Sequence, residues 1–107
     1  FVGEALRLTR AGLPEETALL GFCGAPFTLA AYAVEGGGTK QFSFVRKLMY
    51  RDFESFSALM DKLADQVVAH LRYQVACGAD AVVVFDTWAG TLTRLDYLRY
   101  AAPWTRR

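Results

Sequence analysis

Two stretches of the chain carry apolar side chains almost without interruption, and between them the apolar positions recur every three or four residues. Thr17-Ala-Leu-Leu-Gly-Phe-Cys23 closes on Gly24 and Pro26, and Ala81-Val-Val-Val-Phe85 stops at Asp86-Thr87. Neither run alternates apolar with polar residues, which is the pattern of a strand covered on both faces, as in a parallel sheet. From Phe53 onward, Phe56, Met60, Leu63, Val67, Leu71 and Val75 form one stripe, with Asp61, Lys62, Asp65 and Arg72 mostly off it. That period predicts an amphipathic helix of about seven turns over 53–77, capped by Asp52 and ended by Gly78.

Shorter elements flank these three. Phe1 to Ala11 places Val2, Ala5, Leu6 and Thr9 on one helical face before Gly12 and Pro14 end it. Pro26 stands in the favoured first turn of a helix reaching Val34, which breaks at Gly36-Gly37-Gly38. Thr39 can cap a helix from Lys40 to about Tyr50 with Phe44, Val45 and Leu48 turned inward. After the second strand, a loop over 88–93 leads to a helix from about Leu95 that is kinked at Pro103.

Two apolar strands joined by a long helical crossover form a right-handed βαβ unit, so both strands end at the same sheet edge. Ligands of parallel α/β proteins bind at that carboxyl edge, and the topology brings residues 24–38 and 86–93 together there. A two-stranded sheet is not stable alone. The missing strands must come from the rest of a longer protein, as in a (β/α)8 TIM barrel, so the fold class is α/β, with the chain expected to be a βαβ fragment of such a fold. The chain opens at Phe1 and stops at Arg107 within what reads as a helix, and it is expected to be a piece of a longer protein.

The composition removes several classes of function. With 53% hydrophobic residues the chain is no disordered tail, and a net charge of +1 creates no field that would gather nucleic acid or anionic lipid. No apolar run approaches the ~20 residues of a membrane span, and no secretory pattern opens the chain. A cytoplasmic protein with neither nucleic-acid nor membrane partners is expected. Cys23 and Cys77 belong to no metal-ligand spacing and read as reduced, buried hydrophobes.

Few residues offer chemistry. Gly36-Gly37-Gly38 lacks the Lys-Ser/Thr of a phosphate loop and follows a helix, so a permissive turn is the better reading. Asp86 ends a strand, where barrels place catalytic groups, and it suits a cap equally well. His70 has no second ligand or base at helical spacing and reads as structural. Tyr32 and Thr87 supply neutral hydroxyls at the expected ligand edge, suited to hydrogen-bonding a carboxylate, although either could serve packing alone. Trp88, Phe22 and Phe85 could floor a site for a flat ligand or simply fill the core.

A resemblance extends this reading. Gly21-Phe22-Cys23-Gly24-Ala25-Pro26-Phe27-Thr28-Leu29 through Tyr32-Ala33-Val34-Glu35-Gly36-Gly37-Gly38-Thr39 resembles the uroporphyrinogen decarboxylase pattern GFAGxPWTLxxYxVEGGGS. Gly78-Ala79-Asp80-Ala81 through Phe85-Asp86-Thr87-Trp88-Ala89-Gly90-Thr91-Leu92 is similar to that family's GAdAvqiFDSWaGxL, and Asp96-Tyr97 through Pro103-Trp104 to its DYxxfxxPy helix. Cys23 replaces a small residue, Phe27 the usual Trp, and Thr87 stands where Ser or Thr occurs. The resemblance implies a single-domain (β/α)8 barrel of which residues 1–107 are an internal part, a homodimer as full-length protein, that decarboxylates the four acetate side chains of uroporphyrinogen to give coproporphyrinogen in haem synthesis, without metal or organic cofactor.

It further implies substrate contacts by the hydroxyls of Tyr32 and Thr87, with Phe22 and Phe85 as apolar walls. The family's key Asp, its carboxylate-binding Arg residues and its His fall outside this chain. Asp86 does not correspond to that Asp, no catalytic residue is expected here, and the isolated fragment should be inactive. A cobalamin-related methyltransferase of the same superfamily, whose zinc ligands would also lie outside this chain, and a non-catalytic segment of a degenerate barrel are the alternatives.

Overall fold

The computed structural model describes residues 1–36 and 42–107. Helix α1 (Val2–Gly12) leads into β1 (Leu20–Gly24), α2 (Pro26–Glu35), α3 (Ser43–Arg51), α4 (Phe53–Ala76) and β2 (Ala81–Phe85). A 3-10 turn (Thr87–Thr91), α5 (Arg94–Tyr100) and α6 (Ala102–Thr105) follow. β1 and β2 are parallel neighbours in register from Leu20 opposite Ala81 to Gly24 opposite Phe85. The uninterrupted apolar runs thus pair as expected, joined by the α2–α4 crossover.

Local chemistry accounts for most boundaries. Asp52 caps α4 by accepting from the Ser55 N–H at 3.1 Å, which also holds its carboxyl below the usual range. Thr93 caps α5 by accepting from the Asp96 N–H at 3.2 Å. The α5–α6 break falls at Ala101, two residues ahead of Pro103, whose ring restricts the residue before it and removes a helical donor.

The amino edge of the sheet is locked by charge. Arg10 Nη1 bonds Asp80 Oδ2 at 3.0 Å and the Thr17 carbonyl at 2.8 Å, and its Nη2 bonds the Pro14 carbonyl at 2.8 Å. Asp80 Oδ2 also accepts from the Leu19 N–H at 2.7 Å, and the Asp80 N–H donates to the Leu19 carbonyl at 2.8 Å. One guanidinium–carboxylate pair therefore fixes where both strands begin.

The core lies on the helical side, where Phe27 of α2, Val45 and Met49 of α3, and Phe56 and Met60 of α4 are fully enclosed. Ala30 and Ala31 let α2 approach closely, and each large side chain so buried contributes about 1.5–3 kcal/mol.

The structure departs from the sequence pattern in several places. β1 begins at Leu20 rather than Thr17, because Arg10 holds the preceding carbonyls in a turn closed from Thr17 N–H to Pro14 C=O at 3.0 Å. Neither strand is covered on both faces: every residue of β2 is exposed, since among the described residues only β1 beside it and part of α4 lie against it. The buried stripe of α4 ends on Gln74, while Val75 faces solvent. The expected 88–93 loop is instead a 3-10 turn running into a capped helix. Thr39, with Gly37, Gly38 and Lys40, lies outside the described residues, and α3 is seen from Ser43.

Candidate functional site

Both strands deliver their last residues to one edge, where the Ala25 N–H closes the ladder onto the Phe85 carbonyl at 2.8 Å. Phe22 and Phe85 stay exposed there, their rings edge to face with centroids 6.0 Å apart. The sequence-derived aromatic pair is thus brought together as one apolar surface.

Trp88 links the elements that carry the two hydroxyls. The Tyr32 ring stands edge-on to the Trp88 indole at 6.0 Å, and Trp88 in turn rests on buried Phe42 at 4.6 Å. Thr87, next to Trp88 in the chain, is exposed, and Tyr32 is 46% exposed. No protein group hydrogen-bonds either hydroxyl among the described residues, so both are open to a ligand. Exposure of Thr87 also weakens the reading in which it only packs a strand end.

Asp86 is half-buried and serves as a connector. Its Oδ1 accepts from the Thr28 hydroxyl at 2.9 Å, and the Trp88 N–H donates to the same hydroxyl at 3.2 Å. Burial pushes the Asp86 carboxyl up, and the Thr28 hydrogen bond acts against that shift. Asp86 precedes the 3-10 turn but makes no side-chain cap hydrogen bond to it; its carboxyl ties the end of β2 to Thr28 of α2 instead.

His70 is half-buried on α4 and lines an open cleft of about 470 Å³ with Phe22, Cys23, Leu29 and Val67. Both cysteines carry free thiols; Cys77 is buried as expected, whereas Cys23 is only half-buried and burial raises its thiol pKa.

Glu35 has a role that the sequence reading missed. Its Oε1 accepts from the N–H groups of Phe44 and Val45 at 2.8 and 3.0 Å, the first turn of α3. That turn has no acidic residue of its own, so a carboxylate from the preceding helix satisfies donors that would otherwise lack partners and complements the dipole. Gly36, at φ 69°, takes the left-handed turn that ends α2 beside it. An acidic residue just before a glycine run that leads to a helix without acidic residues at its start was the available signal.

A parallel βαβ unit with paired aromatics and open hydroxyls at its carboxyl edge has the framework of an α/β protein with a ligand site at that edge. The family model described as uroporphyrinogen decarboxylase (URO-D) matches residues 1–107, and the chain belongs to that family. Over all 107 residues it is 47% identical to the uroporphyrinogen decarboxylase of Citrifermentans bemidjiense and 48% identical to that of Syntrophotalea carbinolica, covering 32% and 31% of their lengths. The Vibrio cholerae uroporphyrinogen decarboxylase is 48% identical over 101 residues, which are 94% of this chain and 28% of that protein. The chain therefore spans less than a third of the length of these relatives.

Proposed function

We propose that the chain is an internal part of one (β/α)8 barrel domain that decarboxylates the acetate side chains of uroporphyrinogen to give coproporphyrinogen. Family membership over the full chain carries this reading, together with the open hydroxyls and paired aromatics at the carboxyl edge. The full-length protein acts in the cytoplasm as a homodimer, without metal or organic cofactor. No helix among the described residues is long and apolar enough to cross a membrane.

In the proposed reaction a pyrrole carbon is protonated, making the ring an electron sink. The bond between the acetate methylene and its carboxylate then breaks, carbon dioxide leaves, and the electron pair enters the ring. A proton added at the methylene and one released from the ring leave a methyl group, for a net uptake of one proton per acetate. Groups outside this chain handle those protons. This chain binds and orients: Tyr32 and Thr87 donate to substrate carboxylates, while Phe22 and Phe85 offer apolar walls to the flat pyrroles.

The test is carboxylate binding by the two hydroxyls in the full-length protein. A hydrogen bond to a charged group contributes about 1.5–3 kcal/mol, so Tyr32→Phe should lower kcat/KM roughly ten- to a hundredfold. Thr87→Val should lose about tenfold or more while Thr87→Ser stays near wild type. Unchanged kcat/KM in Tyr32→Phe, or Val outperforming Ser at position 87, would remove these residues from the substrate site.

A further inference from the structure

The hydroxyl of Thr28, a residue only 5% exposed, is used in both directions. Oγ1 donates to Asp86 Oδ1 at 2.9 Å and accepts from the Trp88 N–H at 3.2 Å. Asp86 and Trp88 are the two chain neighbours of Thr87. Thr28 therefore grips the residue before Thr87 and the residue after it, from a point on α2 one turn ahead of Tyr32. The Tyr32 ring is itself set edge-on against Trp88 at 6.0 Å.

Asp86 Oδ2 is enclosed without a hydrogen-bond partner among the described residues, so Thr28 is what fixes the rotation of that carboxyl. A buried hydroxyl whose donor and acceptor functions are both engaged has one orientation, and it transmits that constraint to both groups it bonds. The 3-10 turn carrying Thr87 and the helix carrying Tyr32 are thereby joined at one atom.

Resting on the reading that Tyr32 and Thr87 bind substrate carboxylates, we propose that Thr28 is a positioning residue that sets the separation of those two hydroxyls. Small displacements of groups that hold a substrate cost rate steeply, which gives this link a catalytic consequence without any contact between Thr28 and substrate. A residue that only braces the fold would show the same cost whether or not the two hydroxyls are present.

That difference is measured by a mutant cycle on the full-length protein, reading kcat and KM on uroporphyrinogen. Thr28→Val keeps the shape and removes the hydroxyl. It should lower kcat/KM about tenfold in the otherwise wild-type protein, and less than about threefold when Tyr32→Phe and Thr87→Val are already in place. Thr28→Ser, which restores the hydroxyl, should return kcat/KM to near wild type. Should Thr28→Val yield no folded protein, Thr28→Cys, close in volume and a weak hydrogen-bonding group, carries the same comparison. An equal loss in both backgrounds, or no loss in either, would overturn the proposal while leaving the substrate site intact. Wild-type kcat/KM in the Tyr32→Phe/Thr87→Val protein would overturn the site assignment and this proposal together.

Discussion

The carboxamide of Gln74 engages both backbone groups of Phe22: Oε1 accepts from the Phe22 N–H at 2.9 Å, and Nε2 donates to the Phe22 carbonyl at 2.8 Å. The Leu19 carbonyl and the Ala25 N–H bond to the β2 side, so odd-numbered residues of β1 turn toward β2 and Phe22 turns toward the open edge. Gln74 thus takes the hydrogen bonds that a further strand would make at this position. Gly21 permits it, because a methyl group there would come within 2.6 Å of Gln74 Oε1.

Removing that clasp should free the edge. One such hydrogen bond contributes about 0.5–1.5 kcal/mol, so Gln74→Leu should speed hydrogen exchange at the Phe22 amide of the 107-residue chain roughly two- to tenfold. Exchange at amides on the β2 side of β1 should change less. Equal acceleration throughout β1 would mean that Gln74 stabilises the unit globally and does not guard one edge.

The Glu35 cap predicts a graded stability series. Glu35→Ala removes the acceptor from two N–H groups of α3 and should cost about 0.5–2 kcal/mol. Glu35→Gln keeps an acceptor oxygen and loses only the charge–dipole contribution of about 0.3–1 kcal/mol. Thermal or urea midpoints of the full-length protein should therefore rank wild type, Gln, Ala. Gln as damaging as Ala would show that charge, and not acceptance of the two hydrogen bonds, sustains the helix start.

Asp86 predicts a specific pH dependence. Burial raises its carboxyl above the ordinary value, so the folded state holds this proton more tightly than the unfolded state. Its contribution to stability is then most favourable below the unfolded value near about 4, and is lost as pH rises through the raised folded value. Asp86→Asn keeps an acceptor for Thr28 without a titrating group. Subtracting its thermal midpoints from those of wild type across this range should isolate a decline with rising pH. A difference that increases with pH would show a depressed carboxyl instead.

The resemblance pointed to Tyr32, Thr87, Phe22 and Phe85, and topology had already put both hydroxyls at the ligand edge. What joins them was illegible. Thr28 and Asp86 are 58 positions apart, Gln74 and Phe22 are 52 apart, and Glu35 reaches donors 9 and 10 residues ahead. By contrast Asp52 and Ser55 are three apart, and that cap could be read directly.

The sequence by itself determined the helices, the two strands and their parallel pairing, because apolar period, capping and turn chemistry act within a few residues and a long crossover leaves little topological choice. Only the tertiary structure decided that Gln74 rather than Val75 ends the buried stripe and that Thr28 grips both neighbours of Thr87. Burial and hydrogen-bond partners depend on which distant segments arrive at the same point. A one-residue rotation on α4 turns a side chain by about 100°, enough to exchange core for solvent or a strand edge.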